Sequence, residues 1–441
     1  MKHIAVIGGG ITGVTTAYAL AQQGFSITLF ERHRYAGMET SYANGGQLSA
    51  SNAEVWNHWS TLVKGMKWIT RRDAPLLFHP KASWHQWSWL TEFVAQLPHY
   101  EANTIHTAQL AIAARDYLFA WAQQENIDFD LKREGILHIY RDPASYQHAV
   151  KVSALLKKGG LERRAVSPEE MRQIEPALQG TFHGGFFTDS DSTGDIHKFT
   201  FGLSQALERM GVQTIYDCDV TSVNTTGERV QLVYEKDSDF QSQTADAVVV
   251  CCGTNSRELA AQLGDRVNIY PVKGYSITVN LDDDQSQASA PHVSLLDEAT
   301  KLVSSRLGVN RFRVAGTAEF NGFNKDIRAD RIQPLVDWVA QCFPGVSTRQ
   351  FTPWAGLRPM MPNMLPKVGP GKAPNVSYNT GHGHLGWTLS AATAVSVAQA
   401  VVAARAALAK KPSSQAMKEP ACDGQACAAM SRKACANTCA G

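Results

Sequence analysis

A glycine pattern near the start of the chain constrains the fold more than any other feature of the sequence. An apolar run over residues 4–7 leads directly into Gly8-x-Gly10-x-x-Gly13, a run of small helix-forming residues follows, and a second apolar strand then ends at Glu31. Gly8 permits a tight turn from strand to helix, Gly10 lets a pyrophosphate approach the backbone, and Gly13 allows the helix to pack closely on the strand. The Glu31 carboxylate is placed to accept hydrogen bonds from a ribose. The pattern therefore predicts a Rossmann-like βαβ unit that binds a dinucleotide.

The composition is that of an ordinary folded protein with more than one domain. The chain has 441 residues, 44% of them hydrophobic and 19% charged, and this length exceeds what one hydrophobic core holds, so we expect two domains. The net charge of +2 argues against a dedicated nucleic-acid-binding protein. No stretch approaches about 18 uninterrupted apolar residues, so we expect no transmembrane helix. The first strand begins at His3, which leaves no room for a signal peptide, and we expect a cytoplasmic protein with reduced cysteines.

The eight cysteines fall into two groups. Four lie in apolar or strand-like surroundings and are predicted to be small buried side chains: Cys218, Cys251, Cys252 and Cys342. The other four lie in a tail rich in Ala, Lys and Ser: Cys422, Cys427, Cys435 and Cys439. Because the spacing of the tail cysteines matches no zinc or iron–sulfur pattern, a disordered tail is favoured over a metal site, and no metal is expected.

Hydrophobic periodicity predicts alternating helices and strands after the first βαβ unit. Helices are expected at 104–125, 145–158, 198–210, 332–342 and 390–409, and Ser167 is expected to cap a further helix that starts with Pro168. Strands are expected at 134–140, 212–216, 220–223 and 230–234. The run 247–253 is continuously apolar, which is typical of a strand buried on both faces of a parallel sheet. Residues 267–320 contain several short strand-like stretches typical of an antiparallel sheet.

These elements place the dinucleotide-binding sheet in separated pieces of the chain. We expect a discontinuous dinucleotide-binding domain made of 1–55, 160–262 and 350–409. A second domain, made of 56–159 and 263–349, is inserted between these pieces, and 410–441 form the tail. The sequence has one GxGxxG pattern. An enzyme that passes hydride between a flavin and NAD(P)H usually needs a second nucleotide pocket. The single pattern therefore favours one tightly held flavin with another electron acceptor.

Residues 56–89 contain six of the ten tryptophans, interleaved with basic residues. The tryptophans are Trp56, Trp59, Trp68, Trp84, Trp87 and Trp89, and the basic residues are Lys64, Lys67, Arg71, Arg72 and Lys81. Aromatic rings beside basic side chains suit the headgroup layer of an anionic membrane. A segment that packs into the core and turns its basic residues to water explains the pattern equally well.

Several further motifs, in order along residues 1–405, together resemble a known family. They are Glu39-Thr-Ser-Tyr-Ala-Asn-Gly-Gly-Gln47, Lys64-Gly-Met-Lys-Trp68, Thr193-Gly-Asp195, Tyr270-Pro-Val-Lys-Gly-Tyr-Ser276, Gly356-Leu-Arg-Pro359 and Asn379-Thr-Gly-His-Gly-His-Leu-Gly-Trp-Thr388. With the N-terminal glycines, they resemble the FAD-dependent amino-acid oxidoreductases of the D-amino-acid oxidase superfamily, most closely the bacterial D-amino-acid dehydrogenases. The resemblance implies an α/β fold with a GxGxxG FAD-binding domain and an inserted substrate domain on a mostly antiparallel sheet.

The resemblance also implies how FAD is held. Its pyrophosphate would lie on the glycine turn, its ribose on Glu31, its flavin along the loop 41–48, and the pyrimidine edge of the flavin near 381–388, where a helix begins near Thr388. The implied cofactor-binding residues are Gly8, Gly10, Ile11, Thr12, Gly13, Glu31, Arg32, Ser41, Asn44, Gly45, Gln47, Leu48, Val220, Gly253, Gly381, His384, Leu385, Gly386, Trp387 and Thr388. Sarcosine-oxidase-like relatives carry a flavin-linking cysteine after the Arg-Pro motif. This chain has Pro366-Lys-Val-Gly369 there, so the FAD should be non-covalent.

Three residues are implied for catalysis and substrate binding. The arginine of the Gly-x-Arg-Pro motif, Arg358, would bind the substrate carboxylate through its guanidinium fork; the alternative is a surface ion pair. Tyr275 would be a second donor to that carboxylate and Tyr42 would lie over the flavin, although both are also compatible with tyrosines that only pack. His384 stands where relatives often have a small hydroxyl residue, which leaves a main-chain contact at the flavin edge as its expected role. His197 is expected to be structural.

The implied reaction is oxidative deamination of a D-amino acid. Hydride would pass from Cα to the flavin, water would hydrolyse the imino acid to a 2-oxo acid and ammonia, and the electrons would continue to a quinone or another respiratory-chain acceptor, with peripheral attachment to the inner face of the membrane through 56–89. One alternative is a related enzyme acting on glycine, proline or hydroxyproline, or N-methyl amino acids. A second is a FAD-bearing subunit of an electron-transfer complex, and a third is an NAD-binding protein.

Overall fold

The βαβ unit predicted from the glycines is present as β1 (His3–Ile7), α1 (Ile11–Gln22) and β2 (Ser26–Phe30). The structure is a computed structural model that describes residues 2–68 and 75–410. The side chains of residues 64, 66–68 and 405–410 lie outside that description, and so do all residues from 411 onward. The described residues up to Val401 form one compact unit, and residues 402–410 lie outside it.

The remaining strands and helices follow in chain order. The strands are β3 (Gln47–Leu48), β4 (Leu76–Phe78), β5 (Ile136–Tyr140), β6 (Arg164–Val166), β7 (Gly184–Thr188), β8 (Ser192–Thr193), β9 (Gln213–Ile215), β10 (Cys218–Thr226), β11 (Arg229–Lys236), β12 (Asp239–Ala245), β13 (Ala247–Val250), β14 (Tyr270–Asn280), β15 (Ser294–Asp297), β16 (Leu302–Leu307), β17 (Arg311–Phe320), β18 (Phe351–Met360), β19 (Lys367–Pro370) and β20 (Val376–Thr380). The helices are α2 (Trp59–Trp68), α3 (Trp84–Ala95), α4 (Tyr100–Gln124), α5 (Pro143–Lys158), α6 (Pro168–Ile174), α7 (Ile196–Arg209), α8 (Ser256–Gln262), α9 (Asp284–Ser289), α10 (Ala329–Cys342) and α11 (Gly386–Lys410).

The first sheet is the one that the glycine pattern predicts. Among the described residues it has six strands in the order β19-β20-β13-β1-β2-β9. β1 pairs in parallel with β2 and β13, and β13 pairs in parallel with β20. The prediction that 247–253 forms a strand buried within a parallel sheet is confirmed, and so is the assembly of this sheet from separated pieces of the chain.

Side-chain alternation fills both faces of this sheet. Ile4 and Val6 pack on one face with α1, α7 and α11, while Ala5 and Ile7 pack on the other with β10, β11 and α8. Successive residues of a strand point to opposite faces, so a strand covered on both sides must be apolar at every position. This explains the uninterrupted apolar runs of β1 and β13.

The second large sheet is mostly antiparallel, as predicted. Within the described residues its order is β18-β14-β17-β16-β15-β5-β7-β6, with β4 added against β17, and the β5–β15 and β4–β17 pairs are parallel. Helix α10 packs on one face through an apolar side that includes Leu335, Trp338 and Val339. The α/β fold class is thus confirmed.

The domain segments stay a prediction, because the two sheets share one compact unit. Strands β6, β7 and β18 fall inside the segments predicted for the dinucleotide-binding domain, yet all three belong to the antiparallel sheet. The predicted helices agree with α4, α5, α7, α10 and α11 to within a few residues. The predicted cap is confirmed, because the Ser167 hydroxyl accepts from the Glu170 N–H and the Glu170 carboxylate accepts from the Ser167 N–H.

One helix in the described part of the chain is long and apolar enough to cross a membrane. It spans Gly383–Ala404 with a mean hydropathy of 1.4, but 56% of its most apolar stretch is buried inside the protein. Trp387, Ala391, Ala394 and Val397 of this helix belong to the core beneath the first sheet. Its apolar character is therefore explained by core packing.

The tryptophan-rich segment divides between core and surface. Trp89 is buried, whereas Trp59, Trp84 and Trp87 are 68%, 80% and 51% exposed. The basic residues Lys64, Lys67, Arg71 and Arg72 lie outside the described residues or have side chains outside them. Cys218, Cys251 and Cys342 are buried and Cys252 is half-buried, and the four tail cysteines lie outside the described residues.

Candidate functional site

A cavity of about 650 Å³ lies between the two large sheets. On one side it is lined by residues that follow the carboxyl ends of parallel strands: Gly8 after β1, Glu31 after β2, Gly253 after β13 and Gly381 after β20. The other side is formed by β14, β16, β17 and β18 of the antiparallel sheet. The carboxyl ends of the strands are the edge at which open α/β sheets bind ligands.

The glycine turn forms one end of the cavity. Gly8 has a φ of +105°, and a Cβ on Gly13 would lie 1.7 Å from the Gly8 carbonyl oxygen, so both positions exclude a side chain. At Gly10 the nearest atom to a Cβ would be the Ser41 Oγ at 3.5 Å, so the space there is open. The Ile11 N–H donates to the same Oγ (3.0 Å), and the first turn of α1 has no acidic residue. The positive end of the helix therefore faces the cavity and suits an anionic group.

The Glu31 carboxylate is held rigidly beside this turn. Its Oε2 accepts from the Gly9 N–H (2.5 Å) and its Oε1 from the His33 N–H (2.9 Å). Burial raises the pKa of Glu31, against the opposing effect of these two hydrogen bonds. Each carboxylate oxygen can accept more than one hydrogen bond, so the group keeps capacity for ribose hydroxyls. Arg32 also lines the cavity and pairs with Glu39.

The polar loop 39–52 lies along the cavity rather than on the outer surface. Ser41, Asn44, Gly45 and Gln47 all line it. The main-chain carbonyl of Gly45 accepts from the Ser305 hydroxyl (2.7 Å), and the Gln47 amide donates to the Leu295 carbonyl (2.9 Å). These bonds tie the loop to the antiparallel sheet.

The end of the cavity near Glu31 includes residues that the sequence did not indicate. Val220 and Gly253, two of the residues predicted to hold the cofactor, line it together with Glu258 and Gln262 of α8. The Gln262 amide oxygen accepts from the Val223 N–H (2.9 Å) and so joins α8 to β10. Helix α8 carries no recognisable motif, so only its position in the fold shows that it lines the cavity.

The segment 381–388 closes the cavity near its other end. Gly381, His384, Gly386 and Trp387 line it, and α11 begins at Gly386, two residues before the start implied near Thr388 and four before the helix predicted at 390–409. Leu385 and Thr388 are buried beside the cavity, where the Thr388 hydroxyl accepts from the Ser49 N–H (3.3 Å). Gly13 and Leu48 are likewise buried behind the lining residues, so the structure does not place these four at the cavity surface.

The His384 side chain lies near Arg358. Its ring stacks on the Trp56 indole, with centroids 5.1 Å apart and planes at 21°. Burial and then the positive charge of Arg358 lower the pKa of His384 to about 4. The main chain of Asn52 lies beside the ring, but neither ring nitrogen reaches hydrogen-bond geometry with a described residue.

Arg358 on β18 presents a cation to the cavity. Its Nη1 donates to the Thr317 carbonyl (2.8 Å) and its Nη2 to the Gly316 carbonyl (3.5 Å). Among the described residues no carboxylate pairs with it, and burial lowers the pKa of Arg358 to about 10. Arg358 is half-buried, and a partly desolvated guanidinium without a counter-charge is unfavourable, so this position favours an anionic ligand.

The structure directs the Tyr275 side chain away from the predicted position. Tyr275 borders the cavity, but its ring packs with Ile277 and Trp338 in the core on the α10 side of the sheet. Its hydroxyl donates to the buried Glu319 carboxylate (2.6 Å), and the pKa of the phenol is raised by burial and by that carboxylate. Since a phenol carries one proton, donation to a substrate carboxylate would require this bond to break.

The structure does not bring Tyr42 to the lining of the cavity. Tyr42 is 42% exposed, and its ring meets His197 edge-on at 5.0 Å between centroids. His197 also packs against Tyr35 and Phe201, as expected of a structural residue. A role over the flavin would require Tyr42 to move.

The cavity is also lined by a cluster of polar residues that no sequence motif indicated. Glu54 accepts from the Tyr100 hydroxyl (2.7 Å) and from His148 Nε2 (2.8 Å), and Lys301 pairs with Glu298. Burial opposes ionisation of Glu54, but the hydrogen bond and charge of His148 outweigh it, and the pKa of Glu54 falls to about 2. These residues come from separate segments without a motif. In the described part of the chain, no group of three or more His, Cys, Asp or Glu residues is arranged to hold a metal.

The chain belongs to a flavin-dependent class of enzymes: the family described as "FAD dependent oxidoreductase" matches residues 3–400, so this protein is an FAD-dependent oxidoreductase. It is 61% identical over 401 residues to the D-amino acid dehydrogenase 3 of Mesorhizobium japonicum, covering 91% of this chain and 97% of that protein. It is 38% identical to the D-amino acid dehydrogenase of Dechloromonas aromatica, over 90% of this chain and 96% of that one. The fold is similar to that of the glycine oxidase of Geobacillus kaustophilus, with a TM-score of 0.71, 18% identity, and coverage of 91% and 95% of the two chains.

The residues of the cavity fit FAD. The open space at Gly10 is a cradle that a branched side chain would fill, and it lies at a helix N-terminus that suits a pyrophosphate. Glu31 offers ribose-binding oxygens at the expected distance along the chain. The cavity then continues for the length of the loop 41–48 to Arg358, which has no acidic partner among the described residues.

Proposed function

We propose that this protein oxidises D-amino acids to 2-oxo acids and ammonia, using non-covalent FAD and a quinone-type electron acceptor. The observation that carries this proposal is the Arg358 guanidinium, which faces the cofactor cavity without an acidic partner among the described residues. A carboxylate is the ligand that a guanidinium fork binds best. The names of the two dehydrogenase relatives support the D-amino acid as the class of substrate.

The residues of the chain would act mainly by orientation. Bound FAD supplies the acceptor for the two electrons and the α-hydrogen, which leave the substrate together as hydride. Arg358 binds the carboxylate and so fixes the direction of the Cα–H bond. The substrate amine must be neutral when hydride leaves, and the resulting imino acid takes up water to give the 2-oxo acid and ammonia. The start of α11 at Gly386 directs the positive end of a helix toward the cavity.

The experiment is an anaerobic titration of the purified yellow protein with matched D- and L-amino acids. The oxidised flavin absorbs near about 370 and 450 nm, and we expect D-amino acids to bleach the longer-wavelength band while L-amino acids do not. Bleaching by glycine, D-proline or sarcosine alone would instead assign one of the related amine substrates. Failure of every amino acid to bleach the flavin, or turnover only within a larger complex, would favour an electron-transfer subunit.

The proposal includes contact with a membrane through exposed aromatic residues. Trp84 and Trp87 lie one turn apart on α3, and the Trp87 indole N–H donates to the Lys81 carbonyl (3.1 Å). The Lys81 ammonium donates to the Asn321 carbonyl (2.9 Å), which brings the exposed Phe323 loop to the same surface. We name Lys81, Trp84, Trp87 and Phe323 the aromatic face. Amphipathic rings beside a cation suit a headgroup layer, and an enzyme that reduces a membrane quinone must reach the bilayer.

A further inference from the structure

We propose that Gly274, Gly316 and Thr317 form a seat that fixes the Arg358 guanidinium, and that Gly274 is therefore a positioning residue for carboxylate binding. This inference rests on the proposed function, which assigns the substrate carboxylate to Arg358. The seat is made of main chain alone, which lets it orient the cation without neutralising it.

Gly274 forms the floor of this seat. It lies on β14 opposite Gly356 of β18, and Arg358 is paired with Val272 two residues further along the same strands. A Cβ built on Gly274 would lie 2.3 Å from Arg358 Nη2 and 2.4 Å from Cζ. Real Cβ atoms do not come so close to another heavy atom, so any side chain at 274 must displace the guanidinium.

A β-bulge forms the back of the seat. Along β14 and β17 the pairing changes from Lys273 opposite Glu319 to Tyr275 opposite Gly316, so two residues of β17 lie opposite Gly274 and β17 has one extra residue. In this bulge Thr317 has a φ of +52°, an unusual conformation for a β-branched residue. The result is that the carbonyls of Thr317 and Gly316 both accept from Arg358.

Main-chain carbonyls are a particular choice of partner for this arginine. An Asp or Glu in the same place would neutralise the cation and compete with the substrate for it. The carbonyls take up two of its five N–H groups and leave the others, with the full charge, for a carboxylate. The bulge thus directs the fork while the positive charge stays available.

The test compares Gly274→Ala with the wild type in the FAD-loaded protein. Propionate, which is D-alanine without its amino group, reports carboxylate binding through its effect on the oxidised flavin spectrum. We expect the propionate Kd and the D-alanine KM to rise about 10- to 100-fold, the scale of one charge-assisted contact. The flavin content should be unchanged and kcat should fall by a smaller factor. A Gly274→Ala protein with wild-type propionate affinity would overturn the inference.

Arg358→Ala and the double variant Gly274→Ala/Arg358→Ala complete a double-mutant cycle, which tests whether Gly274 acts through Arg358. If Gly274 acts only through the guanidinium, adding Gly274→Ala to Arg358→Ala should change the propionate Kd less than about twofold. Full additivity would overturn the inference. If Gly274→Ala alone fails to fold, the double variant should fold and hold FAD because the clashing group is gone, and a double variant that also fails to fold would place the clash elsewhere. An Arg358→Ala protein that binds propionate normally would instead remove the proposed function itself.

Discussion

At the scale of single residues, the cavity contains a cation with no acidic partner in the described part of the chain and an anion that is paired. Arg358 has main-chain partners and no carboxylate within the described residues, whereas Glu54 is paired with His148 and bonded to Tyr100. A half-buried charge without a counter-charge is costly to the fold, so it is expected where a ligand completes the pair. A paired carboxylate contributes to stability instead.

Replacing Arg358 with Ala should preserve the flavin and abolish most activity. Loss of a desolvated charged contact costs about 2 to 5 kcal/mol, which corresponds to a fall in kcat/KM of roughly 30-fold to several thousand-fold. Arg358→Lys should be intermediate, because it keeps the charge but loses the fork. Steady-state kinetics with D-alanine and an artificial dye measure this, and wild-type turnover by Arg358→Ala would show that another group binds the carboxylate.

The Glu54 pairing should make folding stability depend on acid pH. The pKa of Glu54 falls from 4.5 to about 2 on folding, so its contribution is present above pH 4.5 and is lost as the pH falls toward 2. The full difference corresponds to at most about 3 kcal/mol, and less here because the Glu54 side chain is 26% exposed. Urea unfolding of the wild type and Glu54→Gln between these pH values should show a shallower decline for the variant. Parallel declines would contradict the pairing.

At the scale of elements, the turn between β1 and α1 contains two kinds of glycine, which differ in what requires them. Gly8 and Gly13 are required by the fold itself, because a side chain there meets main-chain atoms. Gly10 is not required by the fold in this way, because its surroundings leave room for a Cβ, and we propose that the ligand requires it instead. The two kinds of glycine should respond differently to substitution.

Gly10→Val should give a folded but colourless protein, whereas Gly13→Ala should be destabilised whether or not FAD is present. The valine side chain at position 10 would occupy the space of the pyrophosphate. The alanine methyl group at position 13 would force β1 and α1 apart. The flavin-to-protein absorbance ratio and the thermal midpoint of the apoproteins separate these effects. A yellow Gly10→Val protein with normal flavin content would overturn the placement of the cofactor.

Elements also show why part of the site was predictable and part was not. The glycine turn, Glu31 and Arg358 are marked by short motifs, and the helices by their apolar period, so the sequence indicated them. The direction of Tyr275 was not predictable, since β14 is buried along nearly its whole length and no alternation shows which face meets the cavity. Glu54, His148 and Lys301 meet only through tertiary packing of separate segments, for which the sequence carries no local signal.

At the scale of the whole molecule, the aromatic face should decide whether the protein binds lipid. Vesicles containing anionic lipid should sediment the protein at low salt, and roughly 0.5 M NaCl should release much of it, because salt screens the electrostatic part of binding. Replacing Trp84 and Trp87 with Gln should weaken sedimentation and spare dye-linked turnover, whereas replacing the buried Trp89 would test only the fold. If the wild type ignores these vesicles at low salt, the aromatic face is not a membrane contact.

The cofactor cavity is lined by residues from Ile7 to Trp387, and this span has a consequence for biosynthesis. The glycine turn is synthesised early, but β1 gains its neighbour β13 much later, and β13 gains its neighbour β20 later still. A nascent chain therefore displays a phosphate-binding turn long before it has walls around a flavin, so stable acquisition of FAD should follow synthesis of Trp387. A truncated chain ending before Val376 should accordingly be colourless after purification, although its turn is intact, and its visible absorbance tests this order.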